Sequence, residues 1–178
     1  MNQQLFLFLH TFAGTSAFFD ALIVFCAQYL IFILAAYAFI FVIWKKDGLH
    51  EKTLTVFGGA SLAWLLSQGI NMVYPVARPF VALSDVVPLF THGGYDSFPS
   101  GHATFAFALA AGIFYWNKPW GVLAVLAAFL IGVSRVIAGV HWPGDSIGGA
   151  VLGVVVVVSV HLLYQKTKDL FALMRTGR

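Results

Sequence analysis

Two stretches of the chain carry residue types and spacings that could do chemistry. The first, Phe98-Pro99-Ser100-Gly101-His102, directly precedes an apolar run. Ser100 suits an N-cap, and the free N–H groups and positive dipole end of a helix start form a site for a phosphate-sized anion. Gly101 permits close backbone approach, and His102 stands one or two residues inside the same helix start. An ordinary capped helix with an interfacial histidine accounts for the same residues. The second stretch is Ser134-Arg135, five residues, His141, three residues and Asp145. The Arg135 guanidinium can hold phosphate in a bidentate fork. Trp142-Pro143-Gly144 reads as a turn, which lets the Asp145 carboxylate fold back toward the His141 imidazole and fix its tautomer. That arrangement activates a histidine as nucleophile or base. A plain helix cap at Asp145 and an Arg135 that snorkels to headgroups are the alternatives.

With Arg78 added, the parts suit phosphoryl transfer without a nucleotide loop. They supply donors for nonbridging oxygens, one histidine to attack phosphorus and a second to protonate the leaving oxygen. The sequence holds no P-loop or HExxH zinc pattern. Its single cysteine, Cys26, allows neither an intrachain disulfide nor a Cys/His zinc spacing.

The elements that must position these groups follow from composition. Hydrophobic residues make up 60% of the 178-residue chain and charged residues 10%, against roughly 45–50% and about 25% in soluble domains. Ten basic and seven acidic side chains cannot cover a water-facing surface, so the natural solvent is a bilayer. The net charge of +3 includes no run of Lys or Arg, which sets nucleic acid aside as a partner. Apolar runs at about 20–44, 53–73, 102–116, 120–139 and 145–164 predict an all-α integral membrane protein of about five spans, the third of them short. An apolar stretch from Leu5 to Phe12 predicts an interfacial N-terminal helix, retained rather than cleaved. One membrane-embedded domain is expected over 1–178. Lys45, Lys46, Lys52, Lys118, Lys166, Lys168, Arg175 and Arg178 fall on one side if the spans alternate, which marks that side as cytoplasmic. Arg78 and Arg135 fall on the other side, with no topological purpose. Ionisable groups at membrane depth read by default as a functional site. A small transporter whose Arg and His line a path is the non-enzyme reading.

Residues 71–145 resemble the type 2 phosphatidic acid phosphatase family, membrane lipid phosphatases that share a helical core with vanadium-dependent haloperoxidases. The resemblance is carried by three ordered motifs: Arg78-Pro79 with Asn71 where the family has lysine, Pro99-Ser100-Gly101-His102, and Ser134-Arg135-x5-His141-x3-Asp145. It implies that His141 is a nucleophile forming a phosphohistidine, that Asp145 orients it, and that His102 is the acid and then the base. It implies that Arg78, Arg135, Ser100 and the Gly101 backbone hold the phosphate, with no metal or other cofactor. Asn71 can donate a hydrogen bond there but cannot neutralise charge. Asn71, Arg78-Pro79-Phe80 and the Asp96-Ser97-Phe98 approach look most like the bacterial undecaprenyl-diphosphate phosphatases, which recycle a cell-wall lipid carrier. The implied partners are then a lipid-linked phosphate and membrane lipids, and the implied place is the bacterial inner membrane with the site on its outer face. Action on phosphatidic acid, phosphatidylglycerophosphate or a lipid A phosphate is the alternative, and the oligomeric state is open.

His92 and Asp96 read as a solvated loop beside the second motif. Trp44, Trp64, Trp116, Trp120 and Trp142 read as an aromatic belt. Gly58, Gly59, Gly148, Gly149 and Gly153 read as close helix packing.

Overall fold

The structure, a computed structural model, describes residues 1–44, 48–91 and 93–176, with side chains through Met174. Lys45, Lys46, His92 and Arg178, and the side chain of Arg175, lie outside the described residues. Backbone polar groups in a bilayer have no water to bond, so long apolar runs close their hydrogen bonds internally as helices. The helices are α1 (Asn2–His10), α2 (Ala17–Gln28), α3 (Leu30–Trp44), α4 (Leu49–Thr53), α5 (Gly59–Val73), α6 (Pro79–Ala82), α7 (Gly101–Trp116), α8 (Lys118–Ile137) and α9 (Pro143–Thr176). A π turn at Leu54–Gly58 joins α4 to α5. Ser16 caps α2 by accepting from the Phe19 N–H at 3.2 Å, and Asn117 caps α8 by accepting from the Trp120 N–H at 3.1 Å.

Among the described residues three continuous helices, Leu49–Val73, Lys118–Ile137 and Pro143–Met174, are each long and apolar enough to cross a membrane. The pair α2 and α3 is long and apolar enough only when its two helices are taken together, and it is bent by 47° at Tyr29. No Gly or Pro lies within 17–44 to announce that break. The short run expected over 102–116 is α7, whose 16 residues measure about 24 Å at 1.5 Å per residue. It is the hub of the bundle, packed by α5, α8 and α9, with Ala103, Ala106, Leu109, Ala110 and Ile113 fully buried. The outer faces keep their apolar side chains exposed, as at Leu123, Leu126 and Phe129 of α8 and Val151, Val155 and Leu162 of α9. Such faces are stable only against lipid. The protein is an all-α, multi-pass membrane protein.

Close helix contact sets the position of the second motif. A Cβ on Gly149 would stand 2.7 Å from the Ser100 carbonyl oxygen, and one on Gly153 would stand 2.4 Å from that of Thr104. The missing side chains let α9 lie against the backbone of α7, which puts Asp145 beside Ser97 and Ser100. α9 continues well past the expected boundary at 164, and its last turns carry Lys168 to the Glu51 carboxylate at 3.5 Å.

At the opposite end α1 is clasped to the turn before α9. Phe6 is fully buried against Trp142, His10 Nδ1 lies 2.8 Å from the Ile137 carbonyl, and the Gly144 N–H donates to Asn2 Oδ1 at 2.9 Å. Between α5 and α7 the chain forms a long connection. Its two arms meet in a parallel β-bridge at Val76 and Asp96, through Val76 N–H to Tyr95 O (2.9 Å) and Ser97 N–H to Val76 O (3.1 Å).

Candidate active site

Six of the eight residues expected in the site converge on one cavity of about 220 Å³: Asn71, Arg78, Gly101, His102, Arg135 and His141. Five segments supply them: the end of α5, the residue before α6, the start of α7, the end of α8 and the turn before α9. Arg78 and Arg135 are 2% and 1% exposed, and His141 is 1% exposed. Both guanidinium groups aim at the same atom. Arg78 Nη1 lies 3.3 Å and Arg135 Nη2 lies 3.2 Å from His141 Nε2.

The other ring nitrogen fixes the tautomer. His141 Nδ1 sits 2.9 Å from the Ser97 carbonyl oxygen, which can only accept, so Nδ1 carries the proton and Nε2 presents its lone pair. Asp145 stands behind, with Oδ2 at 3.4 Å from Nδ1. That carboxylate accepts shorter bonds from the Ser97 hydroxyl (2.5 Å) and the Trp142 N–H (2.8 Å). Asp145 therefore orients the histidine mainly by fixing Ser97 and the 142 backbone, with the Ser97 carbonyl in direct contact. The pKa of His141 is held below the ordinary histidine value by burial first, then by Arg135, Arg78 and His102; the Ser97 carbonyl pulls the other way. A neutral imidazole with a lone pair between two cations has the arrangement that attack on an anionic phosphorus centre requires.

Ser100, the second residue outside the cavity wall, is fully buried and acts as the N-cap of α7, accepting from the Ala103 N–H at 3.5 Å. Its own N–H donates to the Asp145 carbonyl at 3.0 Å. Gly101 and His102, next along, face the cavity. Asn71 lines the cavity, but its Nδ2 donates to the Pro99 carbonyl at 3.3 Å, across the cis Phe98-Pro99 motif, while its Oδ1 is buried with no hydrogen-bond partner among the described residues. The side chain at the family's lysine position thus buttresses the second motif.

Several residues of the site are not apparent from the motifs. Asp96, expected in a solvated loop, grips Arg78 through Nε to Oδ1 at 3.0 Å and Nη2 to Oδ2 at 3.2 Å. Burial alone would raise its pKa; the hydrogen bond from Arg78, the Gly94 N–H and the Arg78 charge outweigh burial and bring it to about 2. Ser97 joins Asp145 to His141 as above. Trp64, expected in the aromatic belt, lines the cavity together with Gln68. The bidentate geometry of Asp96 was foreshadowed only by the Asp-Ser-Phe-Pro-Ser run; Gln68 is a polar residue inside an apolar span and carried that signal alone. Arg135 also donates to the Ala27 carbonyl at 3.4 Å, has the Phe90 ring at 5.5 Å from its guanidinium carbon, and keeps a buried Nε without a hydrogen-bond partner among the described residues. Among the described residues no group of three or more His, Cys, Asp or Glu could hold a metal ion.

The cavity therefore offers two buried cations, a helix start and a lone-pair nitrogen, a set suited to an anionic phosphate ester. Comparison with known proteins gives the same chemistry. Residues 52–169 match the PAP2 superfamily. The chain is 30% identical to the undecaprenyl-diphosphatase BcrC of Bacillus subtilis over 159 residues, 88% of this chain and 80% of that protein. It is 30% identical to a lipid A 1-phosphatase of Rhizobium etli over 73% of this chain and 56% of that protein. The crystal structure of Aquifex aeolicus LpxE matches with a TM-score of 0.75 and 28% identity, covering 89% of this chain and 93% of that one. Fold, cavity and kinship agree: the chain belongs to the PAP2 superfamily and is a membrane phosphatase.

Proposed function

We propose that the protein hydrolyses undecaprenyl diphosphate to undecaprenyl phosphate and inorganic phosphate through a phosphohistidine. The observation that carries this reading is the lone pair of His141 Nε2, aimed into a cavity between two buried guanidinium groups. In the first step Nε2 attacks the terminal phosphorus, whose bond to the bridging oxygen breaks with its electron pair going to that oxygen. His102 gives the leaving oxygen a proton. In the second step water attacks the phosphorus, His102 takes the water proton, and the P–N electron pair returns to Nε2. Arg78 and Arg135 hold the nonbridging oxygens in both steps, and the chain's own cations supply the positive field, so no metal is required.

The diphosphate reading draws on likeness to an undecaprenyl-diphosphatase over most of both chains. A broader lipid phosphatase, favoured by likeness to a lipid A 1-phosphatase, is the second reading. Orientation follows from charge: Lys52, Lys118, Lys166 and Lys168 gather at the end of the bundle away from the cavity, which supports a site on the outer face of a bacterial inner membrane. The test is phosphate release by detergent-purified protein from C55 diphosphate, phosphatidic acid and a lipid A phosphate in competition. Release from C55 diphosphate ahead of the others, insensitive to chelator and abolished by His141→Gln, is expected. No release from C55 diphosphate, or full activity in His141→Gln, would refute the reading.

A further inference from the structure

The geometry points to a cavity with two sides, one for the phosphoryl group that is transferred and one for the group it leaves, the second built by Trp64 and Gln68 against Gly101. This inference rests on the diphosphate reading above and adds two residues that select for it. Trp64, Gln68 and Asn71 are spaced by four and three residues, so they share one face of α5, and all three line the cavity. Asn71 donates one amide hydrogen to the Pro99 carbonyl, which holds its side chain against the second motif. Gln68 Nε2 contacts Ser67 Oγ at 3.3 Å, which leaves its second hydrogen for a ligand. A Cβ at position 101 would lie 3.0 Å from Gln68 Nε2 and 3.6 Å from Trp64 Nε1. The absent side chain of Gly101 is thus the space in which two neutral N–H donors reach the start of α7.

A second observation gives the direction of the substrate. An apolar groove of about 380 Å³, walled by Ile31, Phe32, Ala35 and Phe105, adjoins the polar cavity, and Trp64, Gly101 and His102 line both. An amphiphile with its head on the arginines and its chain in the groove crosses those three residues. The scissile bond then lies between the arginines and the Trp64 edge, where His102 meets the leaving oxygen. If the leaving group is a lipid phosphate, it brings further anionic oxygens to Gln68 and Trp64. If it is a lipid alcohol, it brings none. Gln68 and Trp64 therefore discriminate a prenyl diphosphate from a monoester, and they do so with hydrogen bonds rather than charge.

The experiment measures kcat/KM of the full-length protein for farnesyl diphosphate and farnesyl monophosphate in one detergent. The parent is compared with Gln68→Ala, Trp64→Phe, which keeps the ring and removes the N–H, Gly101→Ala, and the double variant Gly101→Ala with Gln68→Ala. The readout is the ratio of the two specificities within each variant, so a loss of folded protein cancels. The ratio should fall about tenfold in Gln68→Ala, the effect of one hydrogen bond to a charged oxygen. It should fall comparably in Gly101→Ala, where the new methyl displaces the Gln68 amide, and no further in the double variant. A ratio within threefold of the parent's in both Gln68→Ala and Trp64→Phe overturns the assignment of these residues. A parent without diphosphate activity overturns the reading beneath it, a separate and distinguishable failure.

Discussion

The two ends of the bundle both bury polar groups, and they treat charge in opposite ways. At the end away from the cavity, Glu51 and Lys52 are 8% and 7% exposed, and Thr55 and His161 are buried. Glu51 accepts from the Gln165 amide and pairs with Lys168, Lys52 lies 5.5 Å over the Trp116 ring, and His161 sits 3.4 Å from the Thr55 hydroxyl against the Tyr115 ring. Charge there meets opposite charge or a ring face. At the cavity end, among the described residues, Asp96 is the carboxylate that grips Arg78, and Arg135 meets a carbonyl, a neutral imidazole and a phenyl face. Burial of polar groups in a membrane protein is thus no mark of function by itself. Excess charge of one sign around an open space is, because only a ligand completes it.

Substituting at the cavity end should have the largest effect. Arg135→Met is expected to lower kcat by about 10²–10³-fold, the loss typical of one donor to a transition-state oxyanion. Its thermal unfolding midpoint should stay level or rise, because the change removes a buried cation that makes no ion pair among the described residues. A drop in stability that parallels the drop in activity would erase the contrast between the ends.

A smaller effect is expected from pH. In the proposed mechanism His141 attacks as the neutral imidazole, and burial with Arg135 and Arg78 holds its pKa down. The acid limb of kcat/KM should therefore fall below the ordinary histidine value of about 6.5, and Arg135→Met should move that limb upward. The same shift has a stability sign. Below about 6.5 the unfolded chain takes a proton that the folded His141 refuses, so stability declines as the solution is acidified. Asp96 adds a second decline: its contribution is whole above the ordinary carboxylate pKa and is lost as pH falls through about 2. A pH–rate profile and unfolding midpoints across pH measure both.

The smallest effect belongs to the other end. Lys168 is 60% exposed in its side chain, so Lys168→Met should change stability by less than about 1 kcal/mol and leave kcat within twofold. A large loss of activity there would mean that the inner cluster is coupled to the cavity.

The convergence of Arg78, His102, Arg135 and His141 on one cavity was legible in the sequence because they are ionisable groups set in apolar surroundings, where chance placement is costly. The helical spans were legible for the same reason of solvent. Asp96 and Ser97 were not, because their partners are chosen when the loop at 93–97 docks on residues 76–78, a pairing with no local signature. Trp64 and Gln68 were hidden by position, since the orientation of a span about its own axis follows from its neighbours. The bend at Tyr29 was invisible because no Gly or Pro marks it; the long apolar run reads as one straight helix.

That bend reaches further than its own span. Where α2 ends, the carbonyl of Ala27 is left near an end that no further turn closes, and Arg135 donates to it at 3.4 Å. The guanidinium that lines the cavity is therefore also steadied by the α2–α3 pair, which lies outside the stretch that carries the motifs. Anyone grafting this chemistry onto another bundle could copy every signature residue from 71 to 145 and still obtain a loose arginine. The portable unit includes a broken helix whose sequence advertises nothing.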